Sequence, residues 1–300
     1  MDTHSLPEAT RNASPAPPPA ASLDALMPDA IALAAENLGV KKANYDAATL
    51  FALAVLAGAF IAMGGLFATV AMSGAEGMLP YGLTRLVGGL VFALGLILVI
   101  VGGAQLFTGD ALMVMAWASG RVKTGRMLQV WTMVWIGNFV GAAGTALLVF
   151  LSGQYGFGHG AVGATALNFA AAKTGLPATQ AFFLGILCNV LVCLAVWLAL
   201  GARSVTDKIL AIVFPVSAFV AAGFEHCVAN MYFVPLGLLI EWGAPASFWA
   251  DLGRAAPAIP VGRFLLNLAA VTLGNWFGGA VLVGAVYWFI YRRPSRRTGH

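Results

Sequence analysis

Apolar runs of bilayer length follow one another along most of the chain, separated by short polar connections. Six stretches, 47–72, 84–119, 127–151, 180–200, 208–241 and 264–291, reach the roughly 20 apolar residues that a helix needs to cross a hydrocarbon core. The second and fifth are too long for one straight crossing, and each is interrupted by polar residues. The first interruption is Gln105-Leu106-Phe107-Thr108-Gly109-Asp110, and the second is Gly223-Phe224-Glu225-His226-Cys227-Val228-Ala229-Asn230-Met231. The pattern predicts an all-α polytopic membrane protein whose second and fifth helices are broken.

The six spans form two halves that echo each other. The third carries Gly137-Asn138-Phe139-Val140-Gly141, and the sixth carries Gly274-Asn275-Trp276-Phe277-Gly278. Three spans per half is an odd number, so the halves have opposite topology. Paired broken helices in such an inverted 3+3 repeat point to the substrate site. The second part of each broken helix begins with free backbone N–H groups and a positive dipole end. In an inverted repeat these two ends converge near one midplane, an arrangement suited to an anion.

Ionisable side chains deep in an apolar run are costly and mark function. Glu225 and His226 lie near the centre of 209–240, and the other histidines, His4, His159 and His300, fall in tails or a loop. An unperturbed histidine titrates at about pH 6.5, so His226 is a candidate to protonate a passing anion or, as a cation, to stabilise it. Thr108 is matched to His226 as its counterpart in the first half, with a hydroxyl able to donate to an anion or to cap the following half-helix. Asn189, an amide in the apolar fourth span, is a candidate to orient His226, to line the path or to bond between helices. Asn138 and Asn275 sit beside glycines that permit close helix approach, which points to a structural role, and Asn275 is also a candidate to line the path together with Glu225. Lys173 is the lone basic residue of the connection 152–179 and would concentrate anions at an entrance. Phe92, Leu96, Leu106, Phe107 and Phe219 flank the interruptions and are candidates for constrictions that exclude water.

Composition agrees with this picture. Hydrophobic residues make up 60% of the 300 and charged residues 9%, far from the balance of an ordinary soluble domain. Lysines and arginines gather on one side of the predicted topology: Lys41, Lys42, Arg121, Lys123, Arg126, Arg203, Lys208, Arg292, Arg293, Arg296 and Arg297, against Arg85, Lys173, Arg254 and Arg263 on the other. That bias places both termini in the cytoplasm, and the net charge of +4 calls for no nucleic-acid partner. Residues 1–22 form a Pro/Ala-rich segment without the apolar core of a signal peptide, expected to be disordered. Residues 23–46 are expected to hold a cytoplasmic helix, opened by Pro28-Asp29 and closed by Gly39, with Ile31, Ala34, Ala35 and Leu38 on one face. The six-span domain then runs over 47–292, and a basic tail over 293–300. Cys188, Cys193 and Cys227 lie in apolar runs without metal-ligand spacing, no P-loop is visible, and neither metal nor cofactor is expected.

Gly102-Gly103-Ala104-Gln105-Leu106-Phe107-Thr108, Gly223-Phe224-Glu225-His226 with Ala229-Asn230-Met231, and Gly274-Asn275 together resemble the formate/nitrite transporter family, and within it the formate channels. The likeness runs from about Pro28 through Leu86-Val87-Gly88-Gly89 and Val192-Cys193-Leu194-Ala195-Val196-Trp197 to the last span. The resemblance implies a homopentamer in the bacterial inner membrane, each protomer an aquaporin-like six-helix unit with its own path. It implies transport of small monovalent anions, formate first and nitrite second. Within that path His226 and Thr108 form the central pair, Asn189 lies nearby and Lys173 attracts anions from outside. Phe92, Leu96, Leu106 and Phe219 match the family's apolar constrictions, and the short N-terminal helix matches one that covers the cytoplasmic mouth. Gln105 departs from the acidic residue that commonly precedes Leu-Phe-Thr, and Cys188 and Cys227 replace smaller or hydroxyl side chains; all three bear on selectivity. Two other classes fit less well. A neutral-solute channel of aquaporin type calls for paired Asn-Pro-Ala motifs, and an intramembrane enzyme calls for more than one histidine and one glutamate.

Overall fold

The structure is a computed structural model that describes residues 24–253 and 255–293. The expected 1–22 tail, Arg254, Arg296 and Arg297 lie outside the described residues. The described residues form helices joined by short turns and loops, with no strand among them. The order is α1 (Pro28–Ala43), α2 (Ala47–Met72), α3 (Tyr81–Gly102), α4 (Phe107–Ala118), α5 (Thr124–Leu151), α6 (Ala161–Gly175), α7 (Ala178–Gly201), α8 (Val205–Ala221), α9 (Cys227–Gly243), α10 (Ala246–Leu252) and α11 (Val261–Tyr291). Five of these, α2, α3, α5, α7 and α11, are long and apolar enough to cross a bilayer singly. The predicted fifth span is divided between α8 and α9, 17 residues each. Helix α10 turns away from α9 by 107°.

Both predicted breaks are present, and glycine makes each one. Gly103 (φ 82°) and Gly223 (φ 75°) adopt the left-handed conformation that L side chains avoid. Extended residues follow before the next helix begins at Phe107 or Cys227. Backbone at this depth must be satisfied internally. The Gln105 N–H donates to the Leu53 carbonyl at 3.1 Å, and the Glu225 N–H donates to the Leu184 carbonyl at 3.3 Å. Leu53 and Leu184 hold the same place in α2 and α7, so the two bonds are images of one another under the inverted repeat.

The glycines around Asn138 and Asn275 let helices touch backbone to backbone. A Cβ on Gly141 would lie 1.9 Å from the Val55 carbonyl oxygen, and one on Gly278 would lie 2.3 Å from that of Ile186. No side chain fits there, so α5 lies against α2 and α11 against α7 at the closest approach a helix pair permits. At this contact α11 widens into a π-helical stretch, Phe277–Ala285.

The N-terminal helix is longer than predicted. Gly39 does not close it: the helix continues to Ala43, because Gly39 faces Ala116 and Met113 of α4, where a Cβ would meet the Ala116 methyl at 3.0 Å. Its buried face is Ile31, Ala32, Ala35, Glu36 and Gly39, while Ala34 and Leu38 are only half-buried. Glu36, 2% exposed, accepts from Arg121 at 2.9 Å and from Arg292 at 2.8 Å, tying α1 to the loop after α4 and to the end of α11. Burial pushes its carboxyl upward, but the Arg292 and Arg121 hydrogen bonds outweigh burial and hold it below the usual glutamate range. A lowered carboxyl stabilises the docked helix above the ordinary glutamate pKa, and that contribution disappears as pH falls through the lowered value. Glu36→Gln is therefore expected to loosen α1 at neutral pH by about 1–3 kcal/mol. Limited proteolysis between α1 and α2 would show this as faster cleavage, and wild-type cleavage accelerating only at a pH below the ordinary glutamate range would show the titration.

Candidate functional site

Two helix starts meet at the centre of the chain. His226 is the residue before α9, and its Nδ1 accepts from the Ala229 N–H at 3.1 Å, capping that helix. A ring nitrogen that accepts carries no proton, so this bond places the histidine's proton on Nε2. Nε2 lies 3.1 Å from Thr108 Oγ1 in the first turn of α4 and donates to it, leaving the threonine's own O–H free for another acceptor. A second proton on the ring would break the Ala229 cap. The arrangement thus holds a neutral imidazole and one hydroxyl proton between two helix N-termini, both side chains buried.

The predicted match of Thr108 to His226 is off by two positions. Leu106 is the N-cap of α4 as His226 is of α9, with the same extended backbone (φ −111° and −116°). The equivalent of Thr108 is therefore Val228. Matching by polarity paired the residues that touch; matching by backbone role pairs histidine with leucine. Because each residue comes from a different place in its helix, the central pair is one-sided in chemistry although the scaffold is symmetric.

Asn138 and Asn275 fasten the breaks. Asn138 Nδ2 donates to the Ala54 carbonyl at 2.7 Å and the Gln105 carbonyl at 2.9 Å, while its Oδ1 accepts from the Phe107 N–H at 2.9 Å. Asn275 repeats the set: its Nδ2 donates to the Gly185 carbonyl at 2.8 Å and the Glu225 carbonyl at 2.9 Å, and its Oδ1 accepts from the Cys227 N–H at 2.9 Å. All polar capacity of Asn275 is spent on backbone, so it shapes the path instead of lining it. Asn189 is an interhelical bond of the same kind, donating to the Thr108 carbonyl at 3.1 Å and the Asn275 carbonyl at 2.6 Å, with no hydrogen bond to His226.

The predicted connection 152–179 is largely the helix α6, whose buried Ala166, Leu167 and Ala170 pack inward. Lys173 in its last turn reaches Glu225 Oε1 at 3.0 Å. Glu225 Oε2 accepts from Asn230 Nδ2 at 2.7 Å, and Asn230 in turn donates to Asn267 at 2.8 Å. The carboxylate therefore faces the lysine rather than the histidine ring. Asn267 and the roles of Asn230, Lys42 and Asp110 escaped the sequence reading, although Asn230 and Asp110 stand in the quoted interruptions.

One cavity reaches His226 from the α6 side, and another on the α1 side reaches Leu106 and Gly109, the neighbours of Thr108. The one on the α6 side, about 60 Å³, is lined by Arg85, Lys173, Phe92, Phe219 and His226 among others. Phe219 stacks on the His226 ring at 6.0 Å between centroids, and Phe92 meets Phe219 edge-on at 5.8 Å. The one on the α1 side, about 360 Å³, is lined by Leu96, Leu106, Gln105, Lys41, Lys42 and Lys208. Phe107 belongs to neither; it lines a separate groove with Trp131, Trp135 and Trp276. The cysteines are free and buried, and no cluster of three metal-ligating side chains exists among the described residues.

This geometry is a pair of cation-rimmed, apolar-walled cavities with one polar contact between them. The family model described as formate/nitrite transporter matches residues 29–289. The chain belongs to the formate/nitrite transporter family. Formate channel FocA of Escherichia coli (strain K12) is 44% identical over 276 residues, which is 91% of this chain and 96% of that protein. A solved structure described as a pentameric formate channel with formate bound superposes with a TM-score of 0.78 at 43% identity, covering 82% of this chain and 97% of the other. Nitrite transporter NirC of Salmonella typhimurium is a more distant relative, 34% identical over 80% of this chain and 82% of its own. This member of the formate/nitrite transporter family thus shares its all-helical fold with a solved formate channel over most of its length.

Proposed function

We propose that this chain is a transmembrane channel for small monovalent anions, with formate as its main substrate, and that it performs no catalysis. The observation that carries the reading is the His226–Thr108 contact between two converging helix starts, approached by cavities with cationic rims. An anion losing its water between Phe92, Phe219 and Leu106 meets the free Thr108 hydroxyl proton there, and His226 Nε2–H serves it by turning from Thr108 Oγ1 to the anion. Arg85 and Lys173 on one side, and three lysines on the other, raise the local anion concentration. The likeness to the pentameric formate channel and to FocA supports formate and a homopentamer, and NirC supports nitrite as the second substrate.

The neutral state of His226 bears on proton coupling. At rest the ring is a hydrogen-bond donor, not a proton donor, so a proton crosses with the anion only when the Ala229 cap opens and the ring takes a second proton. The reading places the protein in the bacterial inner membrane among lipid, with α1 and both termini in the cytoplasm.

The deciding measurement is flux of formate, nitrite, acetate, lactate and hydrosulfide into proteoliposomes across a pH series. Formate and nitrite are expected to lead. Both remaining at background while another anion moves would overturn the reading.

A further inference from the structure

The inverted repeat extends to the charged groups at the two mouths, and there the halves differ in one respect. Lys42 and Lys173 both stand in the last turn of the helix preceding their half's first span. Gln105 and Glu225 both stand two residues before the restarted helix and use the equivalent backbone bonds to Leu53 and Leu184. Asp110 and Asn230 both stand in the first turn, and their N–H groups donate to the equivalent caps, Leu106 at 2.9 Å and His226 at 3.0 Å. On the α6 side, Lys173 bonds the carboxylate before the helix, Glu225, and the amide is Asn230 in the first turn. On the α1 side, Lys42 bonds the carboxylate in the first turn, Asp110, and the amide is Gln105 before the helix.

We propose that these are two versions of one cluster, a lysine with a single carboxylate and a single amide, in which acid and amide have exchanged places. What the path requires at each mouth is one carboxylate against its lysine, at either position. Asp110 is then the positioning residue that holds and balances Lys42, and Gln105 is neutral because Asp110 is charged. The α1-side cluster is also less complete. The amide oxygens Gln105 Oε1 and Asn230 Oδ1 are buried without a hydrogen-bond partner on both sides, but the second carboxylate oxygen differs: Asp110 Oδ2 has no partner, whereas Glu225 Oε2 is satisfied by Asn230 Nδ2. Gln105 faces the same cavity as Lys42, so a change in its charge acts on an entering anion.

The inference rests on the anion-channel reading and makes a signed prediction about it. Asp110→Asn leaves Lys42 uncompensated and is expected to lower the half-saturating formate concentration and the maximal flux, each about threefold or more. Gln105→Glu adds a second carboxylate and is expected to raise the half-saturating concentration by a similar factor. The double variant Gln105→Glu/Asp110→Asn restores one carboxylate per lysine and is expected to return both parameters to within about twofold of wild type. A purely structural role for Asp110 would not produce opposite signs in the singles and recovery in the double. Should the α1-side variants fail to assemble, the mirror exchange Glu225→Gln/Asn230→Asp asks the same question at the other mouth against its own two singles. Singles indistinguishable from wild type, or a double no better than its worse single, would overturn the inference. Wild-type formate flux at background would instead overturn the formate reading, and the ratios between variants are then taken with the fastest anion of the panel.

Discussion

His226→Leu is expected to lower formate flux by about a hundredfold, the loss that follows removal of one preorganised donor at a site where charge must be stabilised away from water. Leucine cannot donate to an anion, and it cannot accept from the Ala229 N–H, so α9 also loses its cap at a cost of about 0.5–2 kcal/mol. His226→Asn separates the two effects. Asparagine caps helices well and keeps one donor, so that variant is expected to assemble normally and to retain a measurable fraction of the flux. Its flux should lose whatever pH dependence the imidazole confers between about pH 5 and 8. Initial rates in proteoliposomes at several pH values distinguish these outcomes. A leucine variant within twofold of wild type would remove His226 from the path.

Asn275→Leu is expected to prevent assembly. Three buried backbone groups, the Gly185 and Glu225 carbonyls and the Cys227 N–H, lose their partner at once. At about 1–3 kcal/mol for each unsatisfied buried group, the total of about 3–9 kcal/mol rivals the whole stability of a typical domain. Water cannot replace the amide, because Asn275 is fully buried and flanked by glycine contacts with α7. Asn138→Leu should do the same to the first half, releasing the Ala54 and Gln105 carbonyls and the Phe107 N–H. Thermal unfolding of purified protein, followed with oligomer size, checks both. Asn275→Leu protein with an unchanged unfolding midpoint would refute the clamp.

These two residues also show how far reasoning from the chain reached. His226 was legible because an ionisable residue in the middle of a bilayer-length run conflicts with everything around it. Asn275 was legible as important, since Gly-Asn recurs in both halves, but it was counted both as a packing residue and as a path residue. Only its three backbone partners, drawn from α7 and from both sides of the break, show that no polar atom is left for a substrate. Lys42 looked like one of many cytoplasmic charges. Its meeting with Asp110 depends on α1 continuing past Gly39, and that continuation is decided by packing on α4, not by local propensity. Phe107 was placed at a constriction from its neighbours in sequence, yet the start of α4 turns it toward Trp131 and Trp276.

The sequence by itself determined the spans, the two breaks and the inversion between the halves. The reason is physical: a bilayer makes the length of an apolar run a local property, glycine at a positive φ is nearly obligatory at a break, and an odd number of crossings forces opposite topology. The tertiary structure alone decided which polar groups meet. Hydrogen-bond partners such as Thr108 and His226, Lys173 and Glu225, or Asn189 and Asn275 lie far apart along the chain, and their contact depends on how each helix is rotated about its axis. That rotation is set by glycine contacts between distant helices, where a single Cβ would push the pair apart.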